Sequence, residues 1–275
     1  GGEEGDEFRY SDLVAQRFHT GHHRLFIESA RLMQALPATI RAMSEPMVSH
    51  DNVGFYLLSQ EVARHIKVVQ SGQGADEVFA GYHWYQKLAG SQHPAQDYAA
   101  AFMDRDHARY REQVSAGYLV GDHARELVED AMARPGAAGP AHPGPGDAVD
   151  RALRLDTTVM LVDDPVKRVD NMTMAAGLEA RVPFLDHELV ELAARIPAEA
   201  KLRDGGKGIL KEVARSVIPA EVIDRPKGYF PVPALKYLDG PVLELARDAG
   251  LNEEDMRGVF WQIIGLSRRA QQEPS

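Results

Sequence analysis

SGQGADEVFAGY, residues 71–82, follows directly on the apolar run Ile66-Lys67-Val68-Val69-Gln70. A β-branched run that stops at a glycine-bracketed turn and is followed at once by two adjacent carboxylates reads as strand, loop and helix. Ligands of open α/β sheets bind at such strand ends. Gly72 and Gly74 let the backbone come close to a ligand, and Asp76 and Glu77 put negative charge where a metal ion or a proton could be held.

On either side of this loop the pattern alternates. Apolar spacing predicts a helix over 11–18, a short strand over 22–27, a helix over 30–43 that ends before Ser44-Glu45-Pro46, and a helix over 53–65 leading into the 66–70 strand. Helix, strand, helix, helix, strand implies an α/β fold with parallel pairing. Beyond residue 82 strand signals nearly vanish, and helices are expected over 96–116, 122–133, 147–161, 165–176, 187–195, 208–218 and 241–249. We therefore read 1–90 as an α/β part and 91–275 as a helical part of the same domain. Residues 134–147 hold four prolines, four glycines and three alanines, a composition that suits a surface loop inserted between helices.

Bulk properties exclude several classes. The chain has 275 residues, enough to bury a substantial core, and a net charge of −10. With a pI near 5.6 and no basic run, it lacks the surface that neutralises nucleic-acid phosphates. It has no apolar stretch of about 18 residues and no signal-like start, and it reads as cytoplasmic without membrane contact. Without cysteine it can form no disulfide, thiolate ligand or Cys nucleophile, so its chemistry must rest on oxygen and nitrogen groups. The acidic, glycine-rich start at Gly1 runs straight into patterned sequence at Phe8, as expected for a piece of a longer polypeptide.

Three further segments carry candidate chemistry. In DDPVKRVDNMTMAAGLEARVPFLD, residues 163–186, the charges of Lys167, Arg168, Asp170, Glu179, Arg181 and Asp186 are interleaved with Met172, Met174, Leu178, Val182 and Phe184. Charges set so tightly among buried-type residues either pair with one another or meet a ligand. Arg225-Pro226-Lys227-Gly228-Tyr229-Phe230-Pro231 is a rigid loop whose Lys227 suits a phosphate group or is simply a solvated lysine. Gly205-Gly206-Lys207-Gly208 lacks the spacing of a phosphate loop and reads as a turn capping the next helix.

These segments, in this order, resemble the synthetase domain of the asparagine synthetase family. The resemblance runs from about Arg9 to Leu245, through Ser44-Glu45-Pro46, SGQGADEVFAGY, the stretch 166–197, GKGILKEVA at 206–214 and IPAEVIDRPKGYFPVP at 218–233. It implies a parallel sheet like that of the adenine-nucleotide α-hydrolases, followed by a mostly helical region. It also implies ATP-dependent amidation of a small carboxylic acid through an acyl-adenylate. The cofactors implied are ATP and Mg²⁺. By motif match, Asp76 with Glu77 is the metal side, Lys227 the pyrophosphate side, and Ser71, Gly72 and Gly74 the adenylate loop. Arg168, Asp170, Glu179 and Arg181 are then candidate ligand contacts. Ammonia would come from an amino-terminal glutaminase outside this chain, a homo-oligomer is left open, and the chain alone is expected to be inactive.

Two departures from the family pattern matter. The SGGxDS nucleotide loop is not in the chain, whose only Ser-Gly pair is Ser71-Gly72. Gln73 stands where asparagine synthetases carry an acid that helps deprotonate the incoming nitrogen, and a glutamine cannot titrate. Within the family, SGQGADEVFAGYHWY is most similar to the amidotransferases of N-acetylglutaminylglutamine. An asparagine synthetase with an altered proton path and an inactive scaffold are the alternatives.

Overall fold

In the computed structural model the described residues are 8–27, 29–47, 49, 51–103, 105–134, 148–225, 244, 247, 248 and 250, without the side chains of Ser29, Ala30 and Gln113. The expected helix over 241–249 falls largely outside them.

The chain opens with helices α1 (Phe8–Phe18), α2 (Ser29–Ala42) and α3 (Asp51–Val62), which lead into strand β1 (Val68–Gln70). The strand expected over 22–27 does not form, and residues 21–27 have no regular structure. Asp12 instead takes this segment from the side, accepting from Arg24 Nη2 at 2.5 Å and pairing with His22 at 3.1 Å. Side-chain charge pairing thus replaces a backbone ladder.

Helices α4 (Ala75–Val78), α5 (His83–Leu88), α6 (Pro94–Phe102), α7 (His107–Gln113) and α8 (His123–Ala133) follow the loop. The single helix expected over 96–116 is broken at 103–106, where Asp106 caps α7 by accepting from Arg109 N at 2.9 Å. On the far side of the Pro/Gly-rich stretch, α9 (Ala148–Leu155) buries Ala148, Val149, Ala152, Leu153 and Leu155. Its opposite face sends Arg151 and Arg154 to the C-terminal carbonyls of α8, at Met132 and Ala131, where cations complement the helix dipole.

The two helices expected over 147–161 and 165–176 form one continuous helical path. From α9 the backbone widens into π-helical turns at Asp156–Met160 and Val162–Val166 before α10 (Lys167–Met174). Pro165 lies inside the second wide turn, which lets the ring pass where a regular α-helix would clash with the preceding turn. Strand β2 (Glu179–Arg181) comes next, in the stretch where strand signals nearly vanish and none is placed. It pairs parallel with β1 in the register Val68↔Glu179, Val69↔Ala180 and Gln70↔Arg181. Three residues leave too little period-2 pattern to be seen beforehand.

The chain then continues through α11 (His187–Ala194), α12 (Ala198–Leu202), α13 (Gly208–Ala214) and α14 (Ala220–Ile223). Two apolar clusters meet at α4. Ala80 belongs to the larger one, with Tyr85, Leu88, Tyr98, Met132 and Leu153, whereas Val78 and Phe79 join Ala193, Leu185 and Ile209 in the other. The short helix after the loop is therefore wedged between both cores and cannot shift without disturbing each. None of the helices is long and apolar enough to cross a membrane among the described residues.

Candidate active site

The loop is fixed first at its root. Ser71 N donates to Arg181 O at 2.8 Å, extending the parallel ladder by one bond, and Gln73 N donates to Ser71 Oγ at 3.4 Å. Two glycines follow with different reasons. A Cβ at Gly72 would meet nothing within 4 Å, so the exposed backbone there is open to an incoming group. Gly74, at φ 90°, caps α4, and a Cβ there would stand 2.2 Å from Leu185 Cδ2. Its glycine answers the turn and the packing rather than a ligand.

The two carboxylates of α4 diverge, because consecutive helical residues point about 100° apart. Asp76 is partly covered, and its Oδ1, itself buried, pairs with Lys207 Nζ at 2.9 Å. Glu77 turns inward, is 1 % exposed and accepts from Tyr82 OH at 2.7 Å. Burial raises its pKa, the Tyr82 hydrogen bond opposes that, and the charges of Asp76 and Asp156 raise it further. The Tyr82 hydroxyl is likewise raised, first by burial and then by Glu77.

Lys207 is the residue that sequence reasoning missed at this place. It is the N-cap of α13, as the expected helix-capping turn requires, but it also reaches Asp76. The turn carrying it is pressed against residues 79–81. Lys207 N donates to Phe79 O at 3.0 Å, and a Cβ on Gly206 would lie 2.4 Å from Ala80 O. A Cβ on Gly81 would lie 2.1 Å from Asp76 Oδ1 and 2.7 Å from Lys207 Cε. Lys207 and Ala80 both hold positive φ, 57° and 58°, a conformation that costs an L-residue about 1–2 kcal/mol. Strain on both sides of one ion pair marks a place where geometry is held against local preference. The glycines around Lys207 were the available signal, since a run of them announces close backbone approach.

The other candidates stand elsewhere. Glu179 and Arg181 lie on one exposed side of β2, paired with each other at 2.8 Å, and Arg181 sits in register with Gln70 at the root of the loop. Arg168 joins α10 to the start of α3: its Nη1 donates to Ser49 Oγ at 2.5 Å and lies 3.7 Å from Asp51 and 3.4 Å from Asp164. Its guanidinium also covers the Phe55 ring at 5.9 Å. One residue before it, Lys167 pairs with Glu45 at 2.5 Å, so the Ser44-Glu45-Pro46 turn is tied to the same helix. Asp170 is exposed on α10. Lys227 lies outside the described residues.

Among the described residues no three His, Asp or Glu side chains are grouped to hold a metal ion. What the site offers is one partly exposed carboxylate, Asp76, in the helix that follows the open backbone at Gly72. That donor set suits an ion such as Mg²⁺, which takes one or two carboxylates and completes its shell with phosphate oxygens and water.

A family model described as Asparagine synthase matches residues 1–263. The chain belongs to the asparagine synthase family. A Mycobacterium tuberculosis protein provisionally named a glutamine-hydrolysing asparagine synthetase is 29 % identical over 262 residues, covering 84 % of this chain and 40 % of that protein. Asparagine synthetase 3 of Bacillus subtilis, also named glutamine-hydrolysing, is 26 % identical over 228 residues, 82 % of this chain and 36 % of its own length. The asparagine synthetase of Cricetulus griseus is 25 % identical over 238 residues, 84 % and 32 % respectively. This asparagine synthase family chain thus spans less than half the length of the relatives it matches.

Proposed function

We propose that this chain is part of the synthetase region of a cytoplasmic, glutamine-dependent amidotransferase that activates a carboxylic acid with ATP and amidates it. The observation carrying this reading is the Asp76–Lys207 ion pair, 2.9 Å long, set at the mouth of a glycine-bracketed loop directly after a parallel strand. Family membership supports it, as does the strained backbone that holds the pair.

In the proposed reaction a carboxylate oxygen of the acid attacks the α-phosphorus of ATP and the bond to the β-phosphate breaks, releasing pyrophosphate. Ammonia then attacks the acyl carbon, AMP leaves and the nitrogen loses a proton. Charge concentrates on the leaving pyrophosphate. Lys207 supplies a fixed cation where that charge develops, worth about 10²–10³ in rate for one preorganised contact. Lys227 is proposed for the same side. Bound Mg²⁺, with Asp76 as its protein ligand, would supply further charge neutralisation there. Gly72 leaves its backbone N–H accessible to a phosphate oxygen. Ser71 and Gly74 shape that loop, and Glu77 supports it from behind.

Arg181 and Glu179 border the strand end and are proposed to meet the acid substrate. Arg168 and Asp170 hold α10 beside the Ser44-Glu45-Pro46 turn. Gln73 orients the substrate through its amide, since it can donate and accept hydrogen bonds without taking a proton. An amide-bearing acid, N-acetylglutaminylglutamine, fits that chemistry. The nitrogen is proposed to arrive as ammonia from a glutaminase region of the longer protein. The sheet is proposed to continue, as in adenine-nucleotide α-hydrolases, with strands that this chain does not contain.

The names of the relatives favour a second reading, in which aspartate is the acid. Full-length protein incubated with ATP, ammonia and either acid separates the two. AMP and pyrophosphate formed only with N-acetylglutaminylglutamine are the expected result. AMP formed only with aspartate makes the protein an asparagine synthetase, and no AMP with either acid refutes the proposal.

A further inference from the structure

Behind the loop lies a second acidic position that the reaction does not touch. Asp156 is fully buried in the first π-helical turn after α9. Three donors from α5 and α6 converge on it. Trp84 Nε1 donates to Oδ2 at 3.0 Å, Tyr85 OH donates to Oδ2 at 2.6 Å, and Tyr98 OH donates to Oδ1. A buried carboxylate held by three neutral donors is an expensive way to join helices, because apolar residues of the same volume would do it without desolvating a charge. What it provides instead is direction, since each donor must meet a fixed lone pair.

That direction is passed toward the site. The Trp84 ring stacks on Tyr82 at 4.2 Å and 14°, while Phe102 and His83 meet it edge-on at 5.4 Å and Tyr85 lies tilted at 5.7 Å. The indole N–H is its only polar handle, so the bond to Asp156 sets how the ring is turned. Tyr82 in turn donates to Glu77, the neighbour of Asp76. Between Ala80 and Tyr82 stands Gly81, with room for no added atom against Asp76 and Lys207. The 79–82 turn, which ends in Tyr82, therefore stands directly against the ion pair, so the place of Tyr82 bears on it.

We infer that Asp156 is a positioning residue for the Asp76–Lys207 pair, acting through Trp84, Tyr82 and the 79–82 turn. It touches neither substrate nor reacting atoms. The effect on ligand binding rests on the proposed phosphate-side role of Lys207, whereas the effect on the turn does not.

Two measurements on the full-length protein separate these. The first is amide hydrogen exchange in peptides containing Gly81 and Lys207, whose N–H groups donate to Asp76 O at 2.8 Å and Phe79 O at 3.0 Å. Asp156→Val removes the acceptor and is expected to speed exchange there on the order of tenfold. Met132→Ala, a truncation in the same core on α8, should slow or speed these peptides no more than their surroundings. Asp156→Asn should restore near-normal protection, because its oxygen can serve Trp84 and Tyr85 while the Tyr98 hydroxyl turns to accept from its amide. Where Asp156→Val does not fold, Trp84→Phe removes the same link while keeping the ring, and the same acceleration is expected.

The second measurement is the affinity for inorganic pyrophosphate, expected to fall roughly tenfold in Asp156→Val and to change little in Asp156→Asn. Exchange at Gly81 and Lys207 that matches the Met132→Ala control overturns the positioning role, as does a loss in Asp156→Asn as large as in Asp156→Val. Wild-type protein that does not bind pyrophosphate overturns the phosphate-side role of Lys207 and leaves the exchange result to decide the positioning.

Discussion

Lys207 combines two properties that rarely coincide without a reason, a left-handed backbone and a charged side chain in an ion pair. A half-exposed ion pair contributes at most about 1 kcal/mol, while the left-handed conformation costs a similar amount, so the residue gains little stability from its place. Glycine accepts that backbone without strain. Lys207→Gly is therefore expected to leave stability unchanged or raise it by up to about 1 kcal/mol, read by urea unfolding, while acid-dependent AMP formation falls by at least about 100-fold. A variant that is both less stable and fully active would show that the lysine is there for the fold. The neighbouring acids teach a related lesson. Asp76 and Glu77 read in sequence as one patch of negative charge, yet adjacent helical positions must point apart, and one carboxylate meets Lys207 while the other is bonded to Tyr82. Asp156 gave no such warning: an aspartate in Arg-Leu-Asp-Thr-Thr looks like a surface residue until three distant aromatic donors are brought to it.

The longer helices were recognisable beforehand, whereas elements of only a few residues largely were not. α2, α3, α8 and α11 lie within a few residues of their expected spans. The failures have separate causes. Residues 22–27 end in the apolar run Leu25-Phe26-Ile27 but have no strand beside them among the described residues, and β2 is too short to show a period. Pro165 reads as a helix start because a π-helical turn is invisible in composition. Helix α12 was missed since its five residues include Lys201, which is buried at 2 % exposure with Asp150 no nearer than 4.0 Å. Burial lowers the pKa of Lys201, and the Asp150 charge opposes this only in part. The unfolded chain thus holds this proton more tightly than the folded one. Stability should rise with pH between the lowered folded value and the ordinary lysine value near 10.5, and the penalty is full below the lowered value. Lys201→Met is expected to stabilise the protein at pH 7 by about 1–3 kcal/mol, with the gain shrinking as pH approaches 10. Thermal unfolding at the two pH values checks this, and a destabilised variant would mean that the Asp150 contact outweighs desolvation.

Among the described residues the chain presents two packed apolar clusters and a sheet of two strands with exposed residues on one side, among them Val68 at 41 %. Two strands alone are marginal in water, and here β2 is supported by α10, which in turn packs on α3. The α/β class, the loop and its order along the chain followed from sequence because a strand, a glycine turn and a helix leave local marks. The partnership of residues 76–81 with 206–207 leaves only the glycines around Lys207, which mark a close approach but not its partner, since it joins positions far apart in the chain. On that partnership the proposed chemistry turns. The decisive measurement is acid-dependent exchange of labelled pyrophosphate into ATP by the full-length protein and its Asp76→Asn and Lys207→Met variants. Exchange in the wild type that drops by at least about 100-fold in each variant is the expected outcome. Undiminished exchange in both variants would place the adenylation site away from this ion pair.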